Sequence, residues 1–215
     1  MFDDKAPQED SLLLISGSKG SKEDDKEYAK KVATAIQSCI TKYDKAKLRC
    51  VGAASENNAI KAIIIAATEL AEETNLLIEP SFTMVEIDKK ERTGMMLEVV
   101  TIDDLIKEGN LNYDDAILKV KGDQGSKEAN KEYVKKLASA ILSCFYKQKT
   151  ALLRYVGAAA CNHAIKAAAI AKGEAAKRGE VFMLEPRFTE VEINGEPMTG
   201  VILEVINVKN SENII

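Results

Sequence analysis

Val51-Gly52-Ala53-Ala54, followed by Asn57 and Ala59-Ile60-Lys61-Ala62, returns 105 residues later as Val156-Gly157-Ala158-Ala159, Asn162 and Ala164-Ile165-Lys166-Ala167. The same shift sets Gly17 on Gly122, Gly20-Ser21-Lys22-Glu23 on Gly125-Ser126-Lys127-Glu128, and Lys26-Glu27-Tyr28 on Lys131-Glu132-Tyr133. One extra residue enters the second copy before Glu185-Pro186, which answers Glu79-Pro80. Beyond it Phe82-Thr83 matches Phe188-Thr189, and Val85-Glu86-Ile87 matches Val191-Glu192-Ile193. Roughly half of about 88 aligned positions are identical, a level that marks tandem duplication. The domains are expected at 11–100 and 116–208. Residues 101–115 form an acidic linker between them, and 1–10 and 209–215 read as polar tails.

Within each copy the expected order is strand, helix, strand, helix, strand, strand. Leu12 to Ile15 and Ile117 to Val120 are short apolar runs of the kind found in buried strands. Ala29, Ala33, Ile36 and Ile40 recur at helical spacing, with Ser21, or Ser126 in the second copy, placed to cap the helix. Leu48 to Val51 and Leu152 to Val156 supply the second strand. Asn57 to Glu72 and Asn162 to Lys177 are apolar nearly all round, as expected of helices buried on two sides. Leu76 to Ile87 alternates as a long strand in which Pro80 marks an edge or a bend. Asn194-Gly195 is a hairpin turn. The fold class is therefore α/β, with both helices of each domain on one face of a mixed sheet. Ile60, Ile63, Ile64, Ile165 and Ala169 are expected to join the two domains around a pseudo-twofold axis, making an internal pseudo-dimer.

Composition narrows the classes of function. Of 215 residues, 46% are hydrophobic and 30% charged, which is globular. No segment approaches the ~18 uninterrupted apolar residues of a membrane span, and the first residues lack a signal-peptide layout, so an intracellular protein without membrane contact is expected. Cys39, Cys50, Cys144 and Cys161 have no paired spacing and are expected as reduced, packed thiols. Thirty basic against 34 acidic side chains leave a net charge of −4. It divides unevenly: residues 1–112 carry −6 and residues 113–215 carry +2.

The run from Val156 to Ala167, continued by Ala169-Ile170-Ala171-Lys172-Gly173, resembles the stage V sporulation protein S family, whose corresponding stretch has the form GAGAxNQAVKAxAIARG. Glu185-Pro186-Arg187-Phe188-Thr189 through Ile193-Asn194-Gly195-Glu196 is similar to that family's P-x-F-T-x-x-x-I-D-G-E segment. The resemblance implies two tandem domains of the Alba-like superfamily, small α/β nucleic-acid binders that dimerise, with one chain supplying both halves of the pair. It departs from the family in being duplicated, in carrying Asn58-Ala59-Ile60 for Gln-Ala-Val, and in a hairpin that reads as lengthened through Asp88-Lys89-Lys90-Glu91-Arg92.

Three features are candidates for contact with nucleic acid, DNA or RNA, at low specificity. Lys22, Lys26, Lys30 and Lys31 on the first helix repeat as Lys127, Lys131, Lys135 and Lys136, and the resemblance places phosphate contacts near this helix. Glu23, Asp24, Asp25 and Glu27 interleave with the first set, whereas Ala129 and Asn130 replace two of these acids in the second. The turns at Gly52 and Gly157 open helices whose N–H groups can face an anion, joined by Asn57 or Asn162 and, one turn on, Lys61 or Lys166. Lys89, Lys90 and Arg92 make a basic hairpin tip. Tyr28 and Tyr133 are candidates for base stacking or for core packing.

No metal signature, cofactor motif or recurring catalytic pair appears, so no enzyme, cofactor or metal is expected. His163 has Asn58 as its repeat mate, and Cys161, two residues before it, points about 200° away on a helix. Nucleic-acid binding is thus the leading reading. An architectural subunit of a larger protein assembly, ribonucleoprotein or cytoskeletal, is the other.

Overall fold

The computed structural model describes residues 11–17, 20–70, 74–103 and 116–208. The first copy comprises β1 (Leu12–Ile15), α1 (Lys22–Tyr43), β2 (Lys45–Cys50), α2 (Ala53–Glu69), β3 (Thr74–Ile87) and β4 (Lys90–Asp103). The second repeats it as β5 (Ile117–Lys119), α3 (Lys127–Gln148), β6 (Leu152–Tyr155), α4 (Ala158–Ala176), β7 (Phe182–Ile193) and β8 (Glu196–Asn207). All eight strands form one mixed sheet, in the order β1-β2-β4-β3-β7-β8-β6-β5. The outermost pairs, β1 with β2 and β5 with β6, are parallel, and every other pairing is antiparallel.

Local chemistry accounts for these elements. Ser21 and Ser126 accept from the backbone N–H of Asp24 and Ala129, capping α1 and α3, and Asp24 closes a capping box on the first. Ala29, Ala33, Ile36 and Ile40 form the buried stripe of α1. Gly52 and Gly157, at φ of 91° and 85°, start α2 and α4 in a conformation that only glycine adopts without strain. The alanines after these glycines are strong helix formers, so both helices start four residues before the expected Asn57 and Asn162.

The two copies meet where β3 pairs with β7 at Ile78↔Leu184. These two residues are repeat mates, so the pseudo-twofold axis passes between them. The β3–β4 ladder runs unbroken through Pro80↔Leu97, but β3 pairs with β7 at Ile78 alone, so Pro80 stands where β3 becomes an edge of the sheet. Its effect falls at the junction, where Pro80 and Pro186, lacking N–H groups, flank the single β3–β7 pair. Above the strands α2 packs on α4, α2 also touches β7, and α4 touches β3. Ile60, Ile63, Ile64 and Ile165 are buried in the core shared by both copies, with Ala169 half-buried against it.

Three other expectations are corrected. β1 and β5 are edge strands, with Leu14 64% exposed, because a four-residue apolar run reads alike at an edge and in a sheet centre. The first hairpin is not lengthened. Ile87↔Lys90 and Ile193↔Glu196 close equal two-residue turns, Asp88-Lys89 and Asn194-Gly195, all four residues having positive φ. β4 also continues through Asp103, into the segment read as linker. The rest of that linker and both tails lie outside the described residues.

Candidate nucleic-acid interface

Lys127, Lys131 and Lys135 stand at i, i+4 and i+8 on α3, a spacing that places them along one face of the helix. They border a cleft of about 750 Å³ together with Asn130 and Val134 of the same helix. α4 supplies the facing wall through Asn162, His163, Lys166 and Ile170, and the loop before α3 contributes Asp123, Gly125 and Ser126. Phe82 and Thr93 reach this cleft from the first copy, so one site is built across the junction. Phe82 is 47% exposed. Four lysines against one aspartate give the cleft a positive balance.

Asn130 organises the loop at its mouth. Its Oδ1 accepts from the backbone N–H of Gln124 at 2.9 Å, and its Nδ2 donates to Asp123 Oδ1 at 2.7 Å. That bond, with another from the Gly125 N–H, holds the Asp123 carboxyl below its ordinary range. The first copy has Asp25 at the position of Asn130, a carboxylate unable to donate such a bond.

The remaining candidate residues are dispersed. Lys136 sits about 100° round the helix from Lys135 and is paired with Glu132 at 2.9 Å, as Lys31 is with Glu27 at 3.0 Å. Lys22, Lys26 and Lys30 are exposed along α1 beside acidic neighbours, and a shallow hollow on that helix is lined by Asp24, Glu27, Tyr28 and Lys31. Lys89, Lys90 and Arg92 lie exposed around the first hairpin tip, and strand alternation turns Arg92 to the opposite face from Thr93. Asn57 and Lys61 are half-buried on α2, outside the second-copy cleft. Asn162 lines the cleft but already donates from Nδ2 to Glu56 Oε2 at 2.8 Å.

Tyr28 and Tyr133 use their hydroxyls to accept from the backbone N–H groups of Ser16 and Lys121, at 2.9 and 2.8 Å. They tie the first strand's end to the first helix in each copy. His163 Nδ1 donates to the Lys121 carbonyl at 3.0 Å, and its mate Asn58 donates to the Gly17 carbonyl at 3.1 Å. Cys161 Sγ instead accepts from the Tyr155 hydroxyl at 3.2 Å, so Cys161 and His163 serve different partners. All four cysteines are buried free thiols. Among the described residues no three His, Cys, Asp or Glu side chains are grouped to hold a metal, and no helix is long and apolar enough to cross a membrane.

Sequence reasoning missed Glu56, a carboxyl only 1% exposed in the first turn of α2. The available signal is a glutamate in a mostly apolar, strongly repeated stretch, opposite Cys161 in the second copy. Burial pushes its carboxyl up to about 7, against the opposing pull of the Asn162 hydrogen bond and of Lys166. It also missed Phe82 and Thr93, whose roles depend on how one copy meets the other.

Comparison with known families matches Stage V sporulation protein S (SpoVS) twice, over residues 24–102 and 126–208. The two matches together span most of the chain, and each runs from the start of the first helix of its copy to the last strand, leaving β1 and β5 outside. The chain belongs to the stage V sporulation protein S family, carried here as two tandem copies.

Proposed function

We propose that this protein is a non-enzymatic nucleic-acid-binding protein of the Alba-like type, and that its binding site is the cleft of the second copy. The convergence of Lys127, Lys131, Lys135 and Lys166 on one cleft beside the exposed ring of Phe82 carries the reading. Lysines contribute by releasing counterions from the phosphates they neutralise, a sequence-independent term. Phe82 adds a surface on which one unpaired base can stack, worth about 1–3 kcal/mol where it occurs. Asn130 is uncharged where the first copy carries Asp25, so the cleft has one acid fewer on its helix, which favours the second copy as the binding half.

The test uses the intact chain, because Phe82 and Thr93 come from the other copy. Fluorescence anisotropy with a labelled single-stranded oligonucleotide is measured across salt for the parent, K131Q/K135Q, N130D and K136Q. Each cleft lysine removed is expected to flatten the log–log salt dependence by about 0.7. N130D is expected to weaken binding, and K136Q, whose lysine is already paired with Glu132, to change it little. Equal affinity and equal salt dependence in all four proteins would refute the site. Absence of oligonucleotide binding by the parent, with proteins co-purifying from extract through the same face, would favour the architectural reading.

A further inference from the structure

Asn162 faces two environments. Its side chain lines the cleft, and its Nδ2 donates to Glu56, a carboxyl of the other copy buried behind it. Lys166, one turn further along α4, also lines the cleft and attracts the same carboxylate. The other titratable groups around Glu56 are Cys50 of β2, Tyr155 of β6 and Cys161 of α4, with Lys61 of α2 acting on Cys161. Burial pushes both thiols and the phenol up, so these three stay neutral near neutral pH. Glu56 is the member of the cluster that exchanges a proton in that range.

Resting on the reading of the cleft as a polyanion site, we infer that Glu56 is its regulatory and positioning carboxyl. Ionised, it accepts from Asn162 and attracts Lys166; when a phosphate engages Lys166, Glu56 takes up a proton from solvent. The physical reason is competition for one cation. A bound anion cancels the attraction by which Lys166 favours ionised Glu56, and adds a like charge on the cleft side of Asn162. Both effects raise the proton affinity of the carboxyl, already displaced to about 7 by burial. Linkage is reciprocal, so protonating Glu56 must strengthen anion binding by the same factor. An anion that raises the carboxyl by one further pH unit gives up to about tenfold tighter binding in acid than in alkali.

His163 and Asp123 are the other titratable groups of the cleft apart from its lysines, and H163N controls for the imidazole. Asparagine is the residue the first copy uses at this position, where Asn58 donates to the backbone carbonyls of Ser16 and Gly17. The first measurement needs no ligand. The Asn162 side-chain amide signal in nitrogen-15 spectra is followed from about pH 5.5 to 8.5, bracketing the range in which a buried carboxyl titrates. It is expected to move with a midpoint near 7 in the parent and H163N, and to stay still in E56Q. A signal that is flat in the parent, or that moves equally in E56Q, overturns the inference.

The second measurement compares affinity at about pH 6 and 8 for heparin, whose sulfates keep their charge throughout, and for a single-stranded oligonucleotide. Several-fold tighter binding at the lower pH in the parent and H163N, absent in E56Q, supports the link. The same pH dependence in E56Q overturns it. Heparin binding with this dependence, but no oligonucleotide binding, retains the Glu56 link and refutes the nucleic-acid reading. Binding of neither polyanion refutes both.

Discussion

Replacing Glu56 by Gln isolates the cost of a charge at the junction between the copies. The carboxyl is raised from an ordinary 4.5 to about 7, chiefly because burial strips water from its ionised form. In the unfolded chain it ionises near 4.5, so between that pH and about 7 the folded protein holds a proton that the unfolded chain has released. Folding is therefore most favoured, as far as Glu56 is concerned, below 4.5, and loses stability as pH rises through the folded value. The full difference corresponds to about 3 kcal/mol. Gln keeps an oxygen to accept from Asn162 and carries no charge, but buries an extra amine that costs about 1 kcal/mol if left without an acceptor. E56Q should thus be slightly less stable than the parent at pH 4.5 and about 2 kcal/mol more stable near pH 8. The assay is urea unfolding of both proteins at matched pH, with the difference between them as the readout, since every other carboxyl cancels. A difference that stays constant from about pH 4.5 to 8 would show that Glu56 ionises as an ordinary surface group, and the desolvation account would be wrong.

Lys149 ends α3 at φ 64°, a left-handed position that costs a lysine about 1 kcal/mol, so K149G should raise stability by that order in thermal unfolding. G157A should do the reverse. A Cβ there meets no neighbour within 4 Å, yet at φ 85° the backbone strains any side chain, and a loss of about 1–3 kcal/mol is expected without loss of the fold by circular dichroism. Truncating Ile165 to Ala removes fully buried volume from the core shared by the copies and should cost about 2–5 kcal/mol by denaturant unfolding. A cost under about 1 kcal/mol would mean that the junction repacks freely.

The fold was legible because its signals are local and stated twice. The constant shift is read between the copies, and the apolar stripe of α1 and the turn Asn194-Gly195 follow from residue spacing within one copy. The edge position of β1 was not legible, since Leu12 to Ile15 has the same apolar content wherever it pairs. Nor was the tight first hairpin, because Asp88-Lys89 adopts without glycine the positive φ that Asn194-Gly195 announces. For the site, the repeated lysines were legible as a set, but the cleft that Lys127, Lys131 and Lys135 share, and the pairing of Lys136 with Glu132, depend on the folded surface. Phe82 and Glu56 escaped notice for a common reason. Each acts on the opposite copy, and such contacts are set by the axis between the copies rather than by any local pattern.

The axis through Ile78 and Leu184 has a consequence for what a covalent pair can do that a dimer of identical chains cannot. In a symmetric homodimer, any residue beside the axis comes twice. A Glu at position 56 would bring a second Glu to the place of Cys161, and two buried carboxylates in one cluster would contend for a single proton. Joining the copies in one chain removes that obligation. One side of the axis keeps the acid while the other carries an uncharged thiol, and one mouth carries Asn130 while its counterpart carries Asp25. Duplication followed by fusion thus lets a twofold scaffold hold an odd number of charges at its centre.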